Sequence, residues 1–315
     1  MITLALIGVG KWGKNYLNTA TTLANVKIKY ICARSKKTLD LLPDTYIQIL
    51  SVKNLLKKRG VDGFIIASPA STHFAIANQL LSLGCNLLIE KPLAISYDQA
   101  LQLKKIWQMK KPKVLIGHLY LYNPAYQVFR KKFKRIKKVK SIFFEGTSSP
   151  VRKDVSVIWD WGPHPVSLLL DLVKYPILKV SATGSKKAGN TLYDSVEALI
   201  YFINGIKSTI RISWFGSHKV RRLIVKGGSE KLELDFTNTT DQKILLHKMD
   251  TPPEYPKYKP DSALTEELSE FVKAIQGFKK ITSDINFGVK VVKVLSAIEQ
   301  SVENNGQAVA LKHYK

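Results

Sequence analysis

Three glycines directly follow the first apolar run of the chain, and their spacing constrains the fold more than any other feature of the sequence. Residues 2–7 are typical of a short buried strand, Gly8-Val9-Gly10-Lys11-Trp12-Gly13 follows, and residues 14–23 can continue as a helix. In such a unit the first glycine permits a tight turn, the second lets the backbone approach a pyrophosphate, and the third lets the helix pack on the strand. The motif predicts a dinucleotide-binding domain with Gly8, Gly10, Lys11, Trp12 and Gly13 as cofactor contacts. A glycine-rich turn of another α/β protein is the alternative.

The end of the second predicted strand, Val26 to Cys32, bears on the choice between NAD and NADP. An NAD site usually places Asp or Glu about 20 residues past the glycines, whereas this chain has Ala33-Arg34-Ser35-Lys36-Lys37. Because no carboxylate is available there, Arg34 and Ser35 can hold a 2′-phosphate through charge-assisted hydrogen bonds. We therefore expect NADP rather than NAD. Stacking of Arg34 over the adenine would leave either cofactor acceptable.

Length and composition bound the class of protein. The 315 residues, with 45% apolar content, are enough for two domains with their own cores. No charged leader precedes the first strand, and no apolar stretch approaches the roughly 20 residues that span a bilayer, so we expect a cytoplasmic protein without a membrane partner. Cys32 and Cys85 lie in or beside apolar runs, which favours buried thiols over a disulfide. No Cys/His cluster has metal-ligand spacing, and we expect no metal.

The formal net charge of +25 is the most unusual global property of the chain. Its densest part is the run from Arg130 to Lys140. Phe129, Phe133 and Ile136 have helical spacing in and beside that run, which predicts one amphipathic helix with a solvated lysine face. No helix-turn-helix, zinc-finger or aromatic RNA-binding signature accompanies the charge, so we expect no nucleic-acid partner. Steering of anions or adhesion to a charged surface is the alternative.

A second group of candidate cofactor contacts follows the apolar strand predicted at Val61 to Ser68. Ser71-Thr72 is predicted to cap the next helix. Because ligands bind beyond the carboxyl ends of parallel strands, Ser68, Pro69 and His73 are candidate contacts on the nicotinamide side. His73 could equally be a first-turn helix residue without a ligand.

Glu90-Lys91-Pro92 follows the next strand, residues 86–89, and so reaches the same edge of the sheet. A charged pair that abuts an apolar strand is hard to explain by core packing, which makes Glu90 and Lys91 candidate site residues. A solvated turn is the alternative. A helix at residues 96–109 and a strand at 113–116 then lead into Gly117-His118.

These motifs resemble the glucose-fructose oxidoreductase and inositol 2-dehydrogenase family, also called Gfo/Idh/MocA. The resemblance extends through Ser71-Thr72-His73, Gly117-His118, Asn123-Pro124 and Asp160-Trp161-Gly162-Pro163-His164, and covers essentially the whole chain. It implies a nicotinamide-dependent oxidoreductase in which Lys91 reaches the reaction centre. It also implies that Asp160 and His164 lie at the start of a helix facing the nicotinamide.

The chemistry of alcohol oxidation explains these residue types. Hydride transfer from a secondary alcohol needs a base for the hydroxyl proton, and His is suited to that task near neutral pH. A nearby cation can stabilise the developing alkoxide. We therefore predict His164 as proton acceptor, Lys91 as the polarising and proton-sharing group, and Asp160 as the residue that orients His164 or binds an adjacent hydroxyl. An N-cap Asp followed by a surface His is the alternative.

The pattern changes from strand–helix alternation to long strands after about residue 118. We predict a dinucleotide-binding domain with a doubly wound parallel sheet at 1–118, and at 119–315 an α+β domain for substrate binding and oligomerisation, whose C-terminal segment can pack back on the first domain. Asn204-Gly205 and Gly227-Gly228 predict hairpins in an open, mainly antiparallel sheet, and two helices follow. The resemblance implies a homodimer or homotetramer formed through the open sheet face.

The substrate is less constrained. Residues 152–160 and Tyr120-Leu121-Tyr122-Asn123-Pro124 resemble the branch of the family that acts on nucleotide-linked amino sugars, including sugar 3-dehydrogenases. We therefore expect a sugar or nucleotide sugar as substrate, with Arg152 suited to bidentate phosphate binding. The candidate substrate contacts are His118, Tyr120, Tyr122, Asn123 and Arg152, although the aromatic residues could simply pack in the second domain. A non-catalytic cofactor-sensing regulator on the same fold and a charge-driven surface binder are the alternative functions.

Overall fold

The computed structural model describes residues 1–43, 45–148, 150–187 and 189–311. They form two compact units. Unit 1 comprises residues 1–119 and 262–292, and unit 2 comprises residues 120–261 together with the chain from Lys293 onward. The passage from unit 1 to unit 2 thus lies beside the predicted division between residues 118 and 119, and residues 262–292 return to unit 1.

Strands and helices alternate through the N-terminal part of unit 1. In chain order they are β1 (Ile2–Ile7), α1 (Lys11–Ala20), β2 (Val26–Cys32), α2 (Lys36–Leu39), β3 (Ile47–Ile49), α3 (Val52–Leu55), β4 (Gly63–Ile66), α4 (Ala70–Leu83), β5 (Leu87–Glu90), α5 (Tyr97–Lys110) and β6 (Val114–Gly117).

Long strands dominate the part of the chain that follows. A 3-10 helix (Leu119–Tyr122) precedes α6 (Pro124–Phe133), β7 (Val139–Gly146), α7 (Val157–Asp160), α8 (Pro163–Leu172), β8 (Ile177–Ser185), β9 (Ser195–Phe202), β10 (Lys207–Ser213), β11 (Arg221–Gly227), β12 (Glu230–Asp235) and β13 (Ile244–Lys248). The last elements are α9 (Ala263–Ile275), α10 (Ile285–Glu303) and β14 (Val309–Ala310).

The sheet of unit 1 is parallel and has the strand order β3-β2-β1-β4-β5-β6. Strands β4, β5 and β6 are buried along their whole length, as expected of parallel strands covered on both faces. Helix α9 contributes to the same core, because a Cβ atom at Gly63 would lie 3.1 Å from the Phe271 ring. The predicted doubly wound α/β fold is confirmed.

The sheet of unit 2 has the order β13-β12-β11-β7-β10-β9-β8-β14. All neighbouring strands are antiparallel except β7 and β10. Burial alternates along the strands, so one face is covered and the other is open; in β9, for example, Val196, Ala198 and Ile200 are buried. Both predicted hairpins, β9–β10 and β11–β12, are confirmed.

The lysine-rich segment differs from its prediction as a single amphipathic helix. Helix α6 ends at Phe133, Lys138 has a positive φ of 50°, and β7 begins at Val139. Residues 139–146 pair with β11, and this strand pairing outweighs the helical periodicity of the apolar residues. Ile136 is buried but lies in the turn between the two elements.

The predicted cap at Ser71-Thr72 is also wrong. Helix α4 begins at Ala70 with Pro69 in the N-cap position. The Thr72 hydroxyl donates to the Pro69 carbonyl oxygen at 2.7 Å and lies 2.6 Å from the Ser68 hydroxyl. Thr72 therefore lies inside the first turn and contacts the residues that precede the helix.

Over residues 1–43, 45–148, 150–187 and 189–311, no helix combines the length and apolar character needed to cross a bilayer. In the same ranges no group of three or more His, Cys, Asp and Glu side chains is placed to hold a metal ion. Cys32 and Cys85 are both free thiols.

Candidate functional site

The carboxyl ends of the parallel strands bring most of the predicted unit 1 residues to one edge of the sheet. Strand β1 leads into the glycine loop, β2 into Arg34, β4 into Ser68, β5 into Lys91 and β6 into His118. In open α/β sheets this edge is where ligands bind.

The glycine loop has the geometry that a bound pyrophosphate needs. Gly8 has a φ of +95°, and a Cβ atom there would lie 2.6 Å from the Ser68 nitrogen. A Cβ atom at Gly13 would lie 2.1 Å from the Gly8 oxygen, whereas one at Gly10 would meet nothing within 4 Å. Helix α1 begins at Lys11 without a side-chain cap on its first amides. The loop therefore offers an open backbone surface and uncapped N–H donors, which fit an anionic dinucleotide.

The residues predicted to contact the adenosine ribose lie on the surface after β2. Arg34 and Ser35 are exposed. The Ser35 hydroxyl oxygen accepts a hydrogen bond from the Thr38 amide at 3.4 Å and thereby caps α2. Arg34 is consequently the more available of the two for a phosphate group. Trp12, in the glycine loop, is 37% exposed and accessible to a ligand.

His73 connects two of the loops at this edge. Its ring is buried, with Nδ1 2.8 Å from the Pro92 carbonyl oxygen and Nε2 2.9 Å from the Ser68 carbonyl oxygen. A carbonyl oxygen only accepts, so both contacts are hydrogen bonds when the imidazole is protonated. The side chain thus ties the loop after β4 to the segment that follows Lys91. Its predicted contact with the cofactor remains a prediction.

A buried trio of titratable groups includes Glu90, the residue directly before Lys91. The Tyr16 hydroxyl is 2.7 Å from Glu90 Oε1 and 2.9 Å from Glu267 Oε1. A hydroxyl has one proton to donate, so both contacts are hydrogen bonds only when one carboxyl group is protonated. Burial, together with the negative charge of Glu90, raises the pKa of Glu267 well above its ordinary value. Burial also raises the pKa of Glu90, but the Tyr16 hydrogen bond and the positive charge of Lys91 oppose that shift, so we place the proton on Glu267.

Lys91 and His118 directly follow the neighbouring strands β5 and β6 of unit 1. Burial lowers the pKa of His118 to about 3, and the positive charge of Lys91 contributes to the shift. His118 is therefore neutral near pH 7. Among the described residues, neither of its buried ring nitrogens has a hydrogen-bond partner, while the ring packs edge-on against Phe287 at 5.8 Å. A neutral imidazole beside an ammonium group can exchange hydrogen bonds with a ligand hydroxyl.

In unit 2, aromatic rings hold His164 in place. The Tyr120 ring stacks on His164 with centroids 4.5 Å apart, and on Phe236 with centroids 4.4 Å apart. Trp161 meets His164 edge-on at 5.6 Å. Packing on two sides restricts the imidazole, as a positioned base requires.

The Asp160–His164 motif spans a break between two helices. Asp160 is the last residue of α7, and α8 begins at Pro163, so His164 lies in its first turn. Gly162 is needed at the break, because a Cβ atom there would lie 2.2 Å from the Ile158 oxygen. The Asp160 carboxylate accepts a hydrogen bond from Trp214 Nε1 at 3.1 Å.

The other predicted substrate contacts make visible interactions within unit 2. Arg152 donates two hydrogen bonds to Asp154, at 2.9 and 2.7 Å. Asn123 caps α6 by accepting from the Ala125 amide at 3.0 Å. Tyr122 is buried. Their contacts with a substrate remain predictions.

Three residues of interest escaped the sequence analysis. Arg221 is the first residue of β11 and is in the period-2 register of the buried residues of that strand. Glu267 follows Leu264 by three positions, so it occupies the apolar face of α9. Tyr16 lies on the buried face of α1. In each case the available signal was a polar group at an apolar position of the pattern.

Two family models match the chain. One, described as the oxidoreductase family with an NAD-binding Rossmann fold, matches residues 2–118, and the GFO/IDH/MocA C-terminal domain matches residues 145–233. UDP-N-acetylglucosamine 3-dehydrogenase of Acidithiobacillus ferrooxidans is 26% identical over 250 residues, which are 77% of this chain and 79% of that protein. Inositol 2-dehydrogenase of Rhizobium meliloti is 18% identical over 324 residues, covering 97% of this chain and 98% of that protein.

Solved structures share the fold. GenD2 from gentamicin A biosynthesis, solved in complex with NAD, has a TM-score of 0.87 at 20% identity and covers 99% of this chain and 97% of its own. UDP-N-acetylglucosamine 3-dehydrogenase GnnA from Acidithiobacillus ferrooxidans has a TM-score of 0.85 at 24% identity, with coverage of 96% and 98%.

Proposed function

Because the chain belongs to the Gfo/Idh/MocA oxidoreductase family, we propose that it transfers hydride between a nicotinamide cofactor and a ring hydroxyl, or the matching ketone, of a sugar or nucleotide sugar. The observation that carries the proposal is one sheet edge in unit 1. There, an open glycine loop with uncapped helix amides lies on the same strand ends as Lys91 and a buried neutral His118.

The cofactor would be held by the glycine loop and by the residues that follow β2. The amides of Lys11 and Trp12 would face the pyrophosphate. Arg34 would bind a 2′-phosphate, which supports NADP over NAD. The bound nicotinamide supplies the hydride acceptor or donor. His73 keeps Ser68 and the segment after Lys91 in a fixed relation through its two carbonyl contacts.

Proton transfer is the task of the side chains. We assign His164 as the base that takes the hydroxyl proton, because stacking against Tyr120 fixes its ring. A positioned base of this kind contributes about 10²- to 10⁴-fold to the rate. Lys91 stabilises the developing oxyanion and shares its proton. Asp160, held by Trp214, is assigned to an adjacent hydroxyl or to the orientation of His164.

The relatives and the side chains of unit 2 support the proposed substrate class. UDP-N-acetylglucosamine 3-dehydrogenase is among the relatives that match most of this chain. We therefore propose a UDP-amino sugar as the first substrate to test. Tyr120, Tyr122, Asn123 and Arg152 are the proposed contacts in unit 2, and His118 is the proposed contact in unit 1.

We also propose that copies of the chain associate through the open face of the unit 2 sheet. Partly exposed side chains of four adjacent strands form a row on this face. Thr209 of β10 is paired with Leu199 of β9 and with Phe143 of β7. Phe143 is in turn paired with Ile224 of β11. Apolar residues in such a row favour coverage by a second subunit. Light scattering of a Phe143→Asp variant tests this: a smaller assembly supports it, and an unchanged mass contradicts it.

Two variants test the catalytic assignment. Lys91→Ala and His164→Ala should bind NADPH normally, as measured by fluorescence titration, but lose at least about 10²-fold in turnover of UDP-N-acetylglucosamine. Lys105→Ala and His218→Ala are matched controls, because both side chains are exposed. Unchanged turnover in both test variants would overturn the assignment. Cofactor binding without any turnover in the unmodified protein would favour a sensing role.

A further inference from the structure

Arg221 places a cation on the covered face of the unit 2 sheet. It is the first residue of β11, and residues of the same face, Leu223 and Val225, are fully buried. Its neighbour Arg222 points to the open face and is exposed. A charged group on the apolar side of a strand needs compensation, because burial of a charge is costly.

The surroundings of Arg221 are built around an aromatic platform. Arg221 is paired with Gly146 of β7, and a Cβ atom at Gly146 would lie 3.0 Å from the Trp161 ring. The missing side chain thus leaves room for the indole. The Arg221 guanidinium carbon lies 4.8 Å from the Trp161 ring centroid. This cation–π contact covers one face of the guanidinium and leaves its edges for hydrogen bonds.

The described part of the chain does not provide acceptors for all N–H groups of the Arg221 guanidinium. Arg221 Nε is buried there and has no hydrogen-bond partner. The guanidinium interacts with the Tyr120 hydroxyl, whose pKa is raised by burial and lowered again by Arg221. By contrast, Arg152 is paired with Asp154 at 2.7 Å and Arg222 with Glu233 at 3.7 Å. No such carboxylate pairs with Arg221 among the described residues.

The position of Arg221 relates it to the proposed base. Tyr120, which Arg221 contacts, stacks on His164. Trp161, which Arg221 covers, meets the same imidazole edge-on. A ligand group bound by the guanidinium would therefore lie in the same aromatic cluster as His164.

We propose that Arg221 binds an anionic group of the substrate, a phosphate or carboxylate, on the Trp161 platform. The proposal rests on the proposed function and narrows its substrate class to sugars that carry a negative charge. The planar fork of Arg matches two oxygens of either group. Recognition by Arg221 would then select charged sugars over neutral ones.

The test measures binding separately from turnover. Isothermal titration calorimetry uses four probes: UDP-N-acetylglucosamine, UDP, glucuronate and neutral N-acetylglucosamine. The variants are Arg221→Met and Arg221→Gln, with Arg222→Gln as the matched control on the opposite face. Met suits the apolar covered face, since apolar replacement of a buried charge is often neutral for stability. NADPH titration and circular dichroism verify that each variant retains its fold.

Removing the Arg221 charge should weaken binding of the anionic probe by about 10- to 100-fold, the usual loss for a charge-assisted hydrogen bond. Arg222→Gln should leave that affinity unchanged, and no variant should alter affinity for N-acetylglucosamine or NADPH. Loss confined to the UDP compounds identifies a phosphate, and loss confined to glucuronate identifies a carboxylate.

Equal anion affinity in the unmodified protein and in folded Arg221→Met would overturn the proposal. A variant that loses stability but keeps anion affinity would show that Arg221 only packs against Trp161. If the unmodified protein binds the anionic probe through Arg221 but forms no reduced cofactor, the anion site stands and the proposed enzymatic function fails.

Discussion

Replacing Glu267 with Gln should make the free energy of unfolding less dependent on pH. Glu267 is fully buried, and its Oε1 contacts the Tyr16 hydroxyl at 2.9 Å. Gln can copy the protonated acid: its amide donates to Tyr16, and the Tyr16 proton remains available to Glu90 at 2.7 Å. At about pH 5 we therefore expect the variant to lie within about 1 kcal/mol of the unmodified protein.

The sign of the pH effect follows from the direction of the pKa shift. The pKa of Glu267 is raised in the folded chain by burial, relative to about 4.3 in the unfolded chain. The folded state therefore binds the proton more tightly. The resulting stabilisation is complete below about pH 4.3 and is lost as pH rises through the folded pKa. Between the two pKa values, the unmodified protein should lose up to about 1.4 kcal/mol per pH unit relative to Glu267→Gln.

Urea unfolding at intervals of half a pH unit from about 5 to 8, followed by circular dichroism, measures this slope. Glu266→Gln is the matched control, because Glu266 is the exposed neighbour on the same helix. The stability difference between the two variants should grow with pH in favour of Glu267→Gln. A difference that stays constant over this range would refute the placement of a proton on Glu267.

Three further substitutions test individual parts of the account. Gly13→Ala should abolish NADPH binding or destabilise the protein by at least about 2 kcal/mol, because the new Cβ atom would lie 2.1 Å from the Gly8 oxygen. Fluorescence titration measures the first effect and thermal unfolding the second. Unchanged NADPH affinity together with unchanged stability would contradict the loop geometry. Arg34→Asp should reverse the preference from NADPH to NADH, measured as the ratio of dissociation constants, and an unchanged ratio would refute the role of Arg34. Asn123→Ala should cost about 1 kcal/mol of stability through loss of the α6 cap; a larger loss of substrate affinity than of stability would instead indicate a substrate contact.

The edge of the unit 1 sheet could be predicted because its signals are local. Strands β4, β5 and β6 are short buried runs, apolar except for Glu90 at the end of β5, and parallel strands carry the residues after them to a common edge. Position in the chain alone therefore brought Ser68, Lys91 and His118 to the same side. The hairpins of unit 2 were predictable for a similar reason, since Asn204-Gly205 supplies the positive φ of 84° at Gly205.

Contacts between distant segments could not be predicted in this way. Tyr16 and Glu267 are 251 positions apart, and neither residue lies in a sequence motif that indicates a contact with the other. The surroundings of the Arg221 side chain are formed by Gly146 and Trp161, which lie in two other segments of the chain. The prediction of one helix over the lysine-rich segment was wrong for the same physical reason, because pairing of β7 with β11 outweighed the local helical pattern.

The central claim is sugar-dependent hydride transfer, and the appearance of reduced nicotinamide tests it most directly. The protein is mixed with oxidised cofactor and UDP-N-acetylglucosamine, and absorbance at the reduced-nicotinamide band is followed for the unmodified protein and for His164→Ala. The account predicts an absorbance rise that requires the sugar, favours NADP, and is at least about 10²-fold slower in the variant. An equal rise in both proteins would contradict the role of His164. The proposed function would be contradicted if no sugar or nucleotide sugar gave a rise with oxidised cofactor and no matching ketone gave a fall with reduced cofactor.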